Sequence, residues 1–238
     1  GIINRYYNVT AIISNGTYNS YSYTGITLDN IADLSAGDRV LIIQMKGAAI
    51  DETNSSAFGN INSIGNAGKY EFASICGFLN NTIVLSNQLL NTYDVASVQV
   101  IRVPVFTDVT VTGTLLATEW DPVTETGGVI ALEATGTITM NANISADSAG
   151  FKGGPLFRNT TYHCGPQSAW YYGLTGNQGA PKGEGIAAFI TNKEYGRGKQ
   201  ANGGGGGNED NTGGGGGANY GAGGSGGDKI GTCGAGTH

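Results

Sequence analysis

Apolar and polar residues alternate with a period of two along much of the first hundred positions. The segments Tyr6–Ile13, Tyr21–Leu28, Arg39–Met45, Tyr70–Cys76, Thr82–Leu85 and Ser97–Val103 are short and rich in Val, Ile, Thr and Tyr. Successive side chains of an extended chain point to opposite faces, so this alternation predicts half-buried strands. The three- to four-residue spacing of an amphipathic helix is missing from these segments. Asn15-Gly16, Ala36-Gly37-Asp38 and Asn80-Asn81 supply turn chemistry between them. The pattern predicts an all-β fold, with a barrel or sandwich over residues 1–105. Gly47–Gly68, full of Asn, Ser, Gly and Ala, interrupts it as a long excursion. Pro104 cannot donate to a ladder and ends the last strand.

Residues 106–154 carry a second pattern. Val109–Thr112, Gly128–Leu132 and Gly136–Ile144 read as short strands spaced by glycine and acidic turns. Within the last of these, Ile138, Met140, Ala142 and Ile144 alternate with polar residues and are expected to point inward. Such segments stack as the rungs of a short β-solenoid, each burying its apolar face on the next.

Residues 155–238 form a glycine-rich, low-complexity domain containing the blocks Gly203–Gly207, Gly213–Gly217 and Gly221–Gly227. A flexible linker is one reading. The other is a bundle of polyglycine II-type helices, which have three residues per turn and bond only to neighbouring strands. Asn, Tyr and Asp punctuate the blocks, which favours ordered packing; no Gly-X-Y period with proline supports collagen. The aromatic island Trp170-Tyr171-Tyr172 reads first as the core of this domain and second as a glycan platform.

Composition narrows the function. Glycine is 42 of 238 residues, charged residues are only 13%, and the net charge is −6 with no Lys/Arg cluster. Phosphate backbones and anionic membrane surfaces attract concentrated positive charge, so neither nucleic acid nor a membrane surface is an expected partner. No window approaches the roughly 20 apolar residues of a membrane helix, so the chain is not expected to insert. Gly1 in place of Met fits a mature chain whose export signal was removed, and the glycine run near His238 suggests a polypeptide that continues.

Catalytic material is sparse, and no catalytic residue, cofactor or metal ligand is assigned. His163 adjoins Cys164, but neighbours on an extended chain point apart, which disfavours a nucleophile–base pair. Glu119 and Asp121 flank Trp120, which could stack on a sugar; the stretch reads first as a solvated loop. Glu209-Asp210 could attract Ca²⁺ through oxygen ligands, though no D-x-D-x-D-G loop surrounds it. Phe151-Lys152-Gly153-Gly154 lacks the frame of a phosphate-binding loop. Cys76, inside an apolar run, reads as a small buried hydrophobe. Cys164 and Cys233 are a candidate disulfide in an oxidising compartment.

Several separated strings then carry a resemblance. They are Ala36-Gly37-Asp38-Arg39-Val40-Leu41-Ile42-Ile43-Gln44-Met45-Lys46-Gly47-Ala48, Gly65-Asn66-Ala67-Gly68-Lys69-Tyr70-Glu71-Phe72, Gln99-Val100-Ile101-Arg102-Val103-Pro104, Gly127-Gly128-Val129 and Gly150-Phe151-Lys152-Gly153-Gly154. Together with the glycine blocks they resemble the N-terminal region of large cell-surface adhesins of Bacteroidota. Such proteins are exported by the type 9 secretion system, and several serve gliding motility. The resemblance implies an extracellular location on a Gram-negative cell surface, adhesion to external surfaces or glycans, and outer-membrane secretion or gliding machinery as partner. It implies no catalytic residues. It also suggests O-glycosylation at Ser148, within Asp147-Ser148-Ala149. Trp120, Trp170, Tyr171 and Tyr172 are the candidate glycan contacts. A carbohydrate-active β-helix enzyme using Glu119 and Asp121 and a phage-like receptor-binding tip are the alternative readings.

Overall fold

The computed structural model describes residues 1–18, 20–157, 168–173, 179–208, 212–218 and 223–227. The fold is all-β. Its strands in chain order are β1 (Arg5–Tyr18), β2 (Tyr21–Leu28), β3 (Arg39–Gln44), β4 (Ala49–Ile50), β5 (Ile61–Ser63), β6 (Tyr70–Leu79), β7 (Thr82–Leu85), β8 (Val98–Val103), β9 (Val105–Phe106), β10 (Val109–Val111), β11 (Leu115–Leu116), β12 (Glu133–Ala134), β13 (Ile138–Met140) and β14 (Ile144–Ser145). Two compact units emerge, and each is discontinuous in sequence. Unit 1 comprises Gly1–Met45 and Gly68–Gly150; unit 2 comprises Lys46–Ala67 and Phe151–His238.

Unit 1 is built on a closed six-stranded barrel in the order β1-β2-β7-β6-β3-β8. Its strands match the six alternating segments of the sequence, and all its pairings are antiparallel. Inward residues of every strand, among them Val9, Ile26, Val40, Ile42, Ile75, Ile83 and Val100, form one core cluster. Strands β3 and β8 are buried on both faces, which explains their nearly unbroken apolar runs. Leu41, Ile101 and Val103 point away from the barrel core and pack with Tyr6, Val129 and Ala131.

Segment 127–131 is fastened over that outer face by buried amides. Gln99 donates to Gly127 O at 3.0 Å and accepts from Gly127 N at 2.8 Å. Asn4 donates to Ala131 O and accepts from Ala131 N. Each amide satisfies both of its ends, which offsets the cost of burying it.

Two expected turns differ in outcome. Gly37 adopts φ +94° in the turn before β3, where Asp38 N–H donates to Ser35 O. Asn15-Gly16, by contrast, lies inside β1 at a register shift, and the chain reverses beyond Tyr18. Strand pairing overrides the local preference of an Asn-Gly dipeptide here, and the side chain that Gly16 lacks is replaced by the ring of Tyr23.

After the barrel, residues 105–116 run parallel to residues 133–145. Val105 pairs with Glu133, Val109 with Ile138 and Leu115 with Ile144. The expected strand Gly128–Leu132 is instead the extended cover described above, and pairing begins at Glu133. Ile138, Met140 and Ile144 were expected to point into a core, yet they are about half exposed. Among the described residues no further strand pairs with β13 or β14, and their apolar side chains stay partly open.

Among its described residues unit 2 has almost no regular ladder, and backbone groups bond from loop to loop. Gly183 N donates to Gly204 O, Gly206 N to Gly196 O, Gly216 N to Gly224 O and Gly227 N to Gly213 O. A Cβ added at Gly204 would collide with Gly215 O, at Gly206 with Ala180 O and at Gly223 with Gly216 O. Polar side chains complete the network: buried Asn208 accepts from Arg197 N and donates to Ala169 O.

Candidate functional site

The aromatic island Trp170-Tyr171-Tyr172 lies in unit 2 and is half buried. The Trp170 and Tyr171 rings are already occupied by neighbours of the same unit. The Arg197 guanidinium sits 4.3 Å from the Trp170 ring centroid, and Lys193 Nζ sits 4.9 Å from that of Tyr171. Tyr171 also tilts against Phe58 at 5.2 Å. Tyr172 forms an antiparallel bridge with Tyr195. Cations stacked on aromatic faces are attractive contacts, and they take the surface a sugar ring would use.

At the centre of this cluster is Lys182, only 2% exposed. Its Nζ lies 3.8 Å from the Phe58 centroid and donates to Trp170 O at 3.2 Å. Burial pushes the ammonium down to about 7, with Glu194 opposing and Lys193 reinforcing the shift. Folding therefore releases a proton between pH 7 and the ordinary value of 10.5. The unfolded chain binds more protons in that window, so stability rises with pH, by up to about 1.4 kcal/mol per unit. Denaturant unfolding at pH 7, 8 and 9 should show the rise, and Lys182→Met should flatten it. The window stops at 9 because Tyr93 acts oppositely at higher pH. Burial and then its hydrogen bond to Glu71 hold its phenol above the ordinary value.

The other candidates fall out as follows. Trp120 is 1% exposed, so it is a core residue of unit 1 and cannot serve as a glycan platform. Its backbone N–H donates to Ala149 O. Glu119 and Asp121 are exposed, and Asp121 accepts from the backbone N–H of Val123. Ser148 is exposed at φ +61°, in a turn closed by Ala149 N donating to Ala146 O. Cys76, expected to be buried, is an exposed free thiol because β6 turns it away from the barrel core. His163, Cys164, Glu209, Asp210, Cys233 and His238 lie outside the described residues, and with them the candidate disulfide and the Ca²⁺ position. Among the described residues, no three His, Cys, Asp or Glu side chains converge to hold a metal, and no helix is long and apolar enough to cross a membrane.

A concave site that the sequence reading missed lies in unit 1, at the β1–β2 end of the barrel. Tyr18, Tyr21, Tyr23 and Phe78 border a cavity of about 520 Å³, within the range of small-molecule sites. Tyr18 and Tyr21 are 55% and 78% exposed. Tyr23 is set differently. Its ring occupies the space over Gly16 and Gly25, where a Cβ at either position would strike it. Two glycines therefore form a shelf that holds one ring in place. The polar lining is Ser22, Thr24, Ser86, Asn87 and Gln88, and no Asp, Glu, Lys, Arg or His contributes among the described residues. A second cavity of about 390 Å³ shares Thr24 and Gln88 with the first and is likewise lined by uncharged residues, including Asn15, Asn91 and Thr92. The available signal was Tyr18, Tyr21 and Tyr23 crowding the β1–β2 end, which pattern reading assigned to strand propensity alone.

No protein-family model matches the chain, and no curated protein matches it. Among solved structures it is similar to the tailspike protein gp49 from Pseudomonas phage LKA1, at 17% identity and a TM-score of 0.27. The match covers 60% of this chain and 22% of the tailspike. A likeness this slight carries no argument about function.

Proposed function

We propose that the chain is a non-enzymatic module of a secreted adhesin, displayed on the surface of a Gram-negative bacterium and contributing to attachment and gliding. In this reading residues 106–154 begin a β-solenoid shaft, and the glycine-rich domain packs as polyglycine II-type helices. The observation that carries it is the approach of glycine backbones in unit 2, so close that a single methyl group at Gly204, Gly206 or Gly223 would meet a carbonyl oxygen. Chains without side chains can bond laterally at this spacing, and the result is a stiff element suited to display outside the cell. The sequence resemblance to Bacteroidota adhesins supports the same reading, with the secretion or gliding machinery as its membrane partner. Exposed Ser148 fits a site of O-glycosylation.

The test is made on the bacterium that produces the protein. Mild protease applied to intact cells should remove epitopes of this chain, and cells deleted for it should lose most of their attachment to surfaces. Protected epitopes together with undiminished attachment would overturn the proposal.

A further inference from the structure

We infer that the tyrosine-lined groove of unit 1 binds an extended, electrically neutral saccharide chain, an inference that rests on the adhesin reading above. Three features specify the ligand. Four aromatic side chains border the larger cavity, and two of its tyrosines are largely exposed while a third is fixed on a glycine shelf. Sugar rings present flat C–H faces to aromatic rings and hydroxyls at their edges, so a site for them combines rings with uncharged donors and acceptors. Asn87, Gln88, Ser86 and Ser22 provide those donors and acceptors here, and each amide can both donate and accept. The described lining carries no formal charge, which gives nothing to pair with a uronate, sulfate or phosphate group.

The second cavity sets the length. It shares Thr24 and Gln88 with the first, and its lining of Asn91 and Thr92 is also uncharged. The two together suit several linked sugars better than one. The Tyr23 ring is ordered before the ligand arrives, so binding loses little side-chain freedom there. Tyr18 and Tyr21 remain free to close on the ligand from the rim.

Affinity electrophoresis of the whole chain tests the inference. The gels contain dextran, soluble starch or galactomannan as neutral probes, or alginate as the anionic one. Retardation is expected in at least one neutral gel and should persist in high salt. Tyr21→Ala, at a rim position whose ring supports no core contact, should weaken it about tenfold. Tyr70→Ala, an exposed tyrosine outside the groove, should leave it unchanged. Equal retardation of wild type and Tyr21→Ala, retardation by alginate alone, or none in any neutral gel would overturn the inference. So would saturable capture of an uncharged peptide that no sugar displaces. Purified chain that still adheres to cells or glass in those cases would leave the adhesin reading standing; a chain that adheres to nothing would remove both.

Discussion

The Gly206→Ala chain is expected to lose about 3 kcal/mol of stability, while Gly224→Ala changes it by roughly 0.5 kcal/mol or less. Both substitutions add one methyl group to a glycine-rich stretch, so composition alone makes them equivalent. Their surroundings do not. A Cβ at Gly206 would strike Ala180 O, with Pro181 O also 3.0 Å away, whereas nothing lies within 4 Å of a Cβ at Gly224. A carbonyl oxygen cannot rotate aside as a flexible side chain can. Relief requires the backbone at 180–181 to move, and that movement strains the bonds from Gly196 N to Ala180 O and from Ala180 N to Gly207 O. Amide exchange across 203–207 provides the second readout. Wild type and Gly224→Ala should protect Gly206, and Gly206→Ala should lose that protection. If both variants behave like wild type, and Gly206 exchanges within seconds in all three, the segment is a flexible linker and the stiff-module proposal loses its support.

The same contrast explains how far the sequence could be read. Most barrel strands were legible because a sheet with one buried face imposes a period of two, and Val9, Ile26 and Ile75 obey it. What the period cannot reveal is the covering of the outer face. Ile101 and Gln99 owe their burial to a segment almost thirty residues further on, Leu41 to the same segment almost ninety residues away, and the amide bonds that place it there are not local. Asn15-Gly16 illustrates the reverse error: a strong local turn signal yielded to long-range pairing. Ile138 and Met140 alternate as predicted but remain half exposed, because alternation reports a two-faced strand and says nothing of whether a neighbour covers it.

Candidate sites were harder to read for a related reason. Tryptophan beside two carboxylates suggested a sugar platform at Trp120, but a residue's accessibility depends on which loop folds over it. The groove at Tyr18, Tyr21 and Tyr23 depends on Gly16 and Gly25, whose role is to be absent beneath one ring. Missing side chains leave no positive mark in a pattern of hydrophobic and polar positions.

Lys46 and Glu184 make the point energetically. Removing the carboxylate alone, as in Glu184→Ala, should cost about 3–5 kcal/mol. Their contact is 2.8 Å, and their side chains are only 5% and 7% exposed. Glu184 also accepts from Lys152 N–H at 3.0 Å, so its loss takes one partner from a buried ammonium and one from a backbone donor. Glu184→Gln keeps a partner for the donor while losing the charge, and should fall between wild type and Glu184→Ala. Replacing both members, Lys46→Met with Glu184→Leu, removes two desolvated charges at once and should recover most of the loss. With the single variants Lys46→Met and Glu184→Leu, the double completes a cycle whose denaturant unfolding gives the coupling between the two sites directly. Because the residues are separated by 138 positions, the pair joins the excursion at 46–67 to the later segment of unit 2. Glu184→Ala should therefore also open that excursion to proteolysis. A loss below about 1 kcal/mol, the level of an exposed ion pair, would show that water reaches the contact and that the excursion is not held by it.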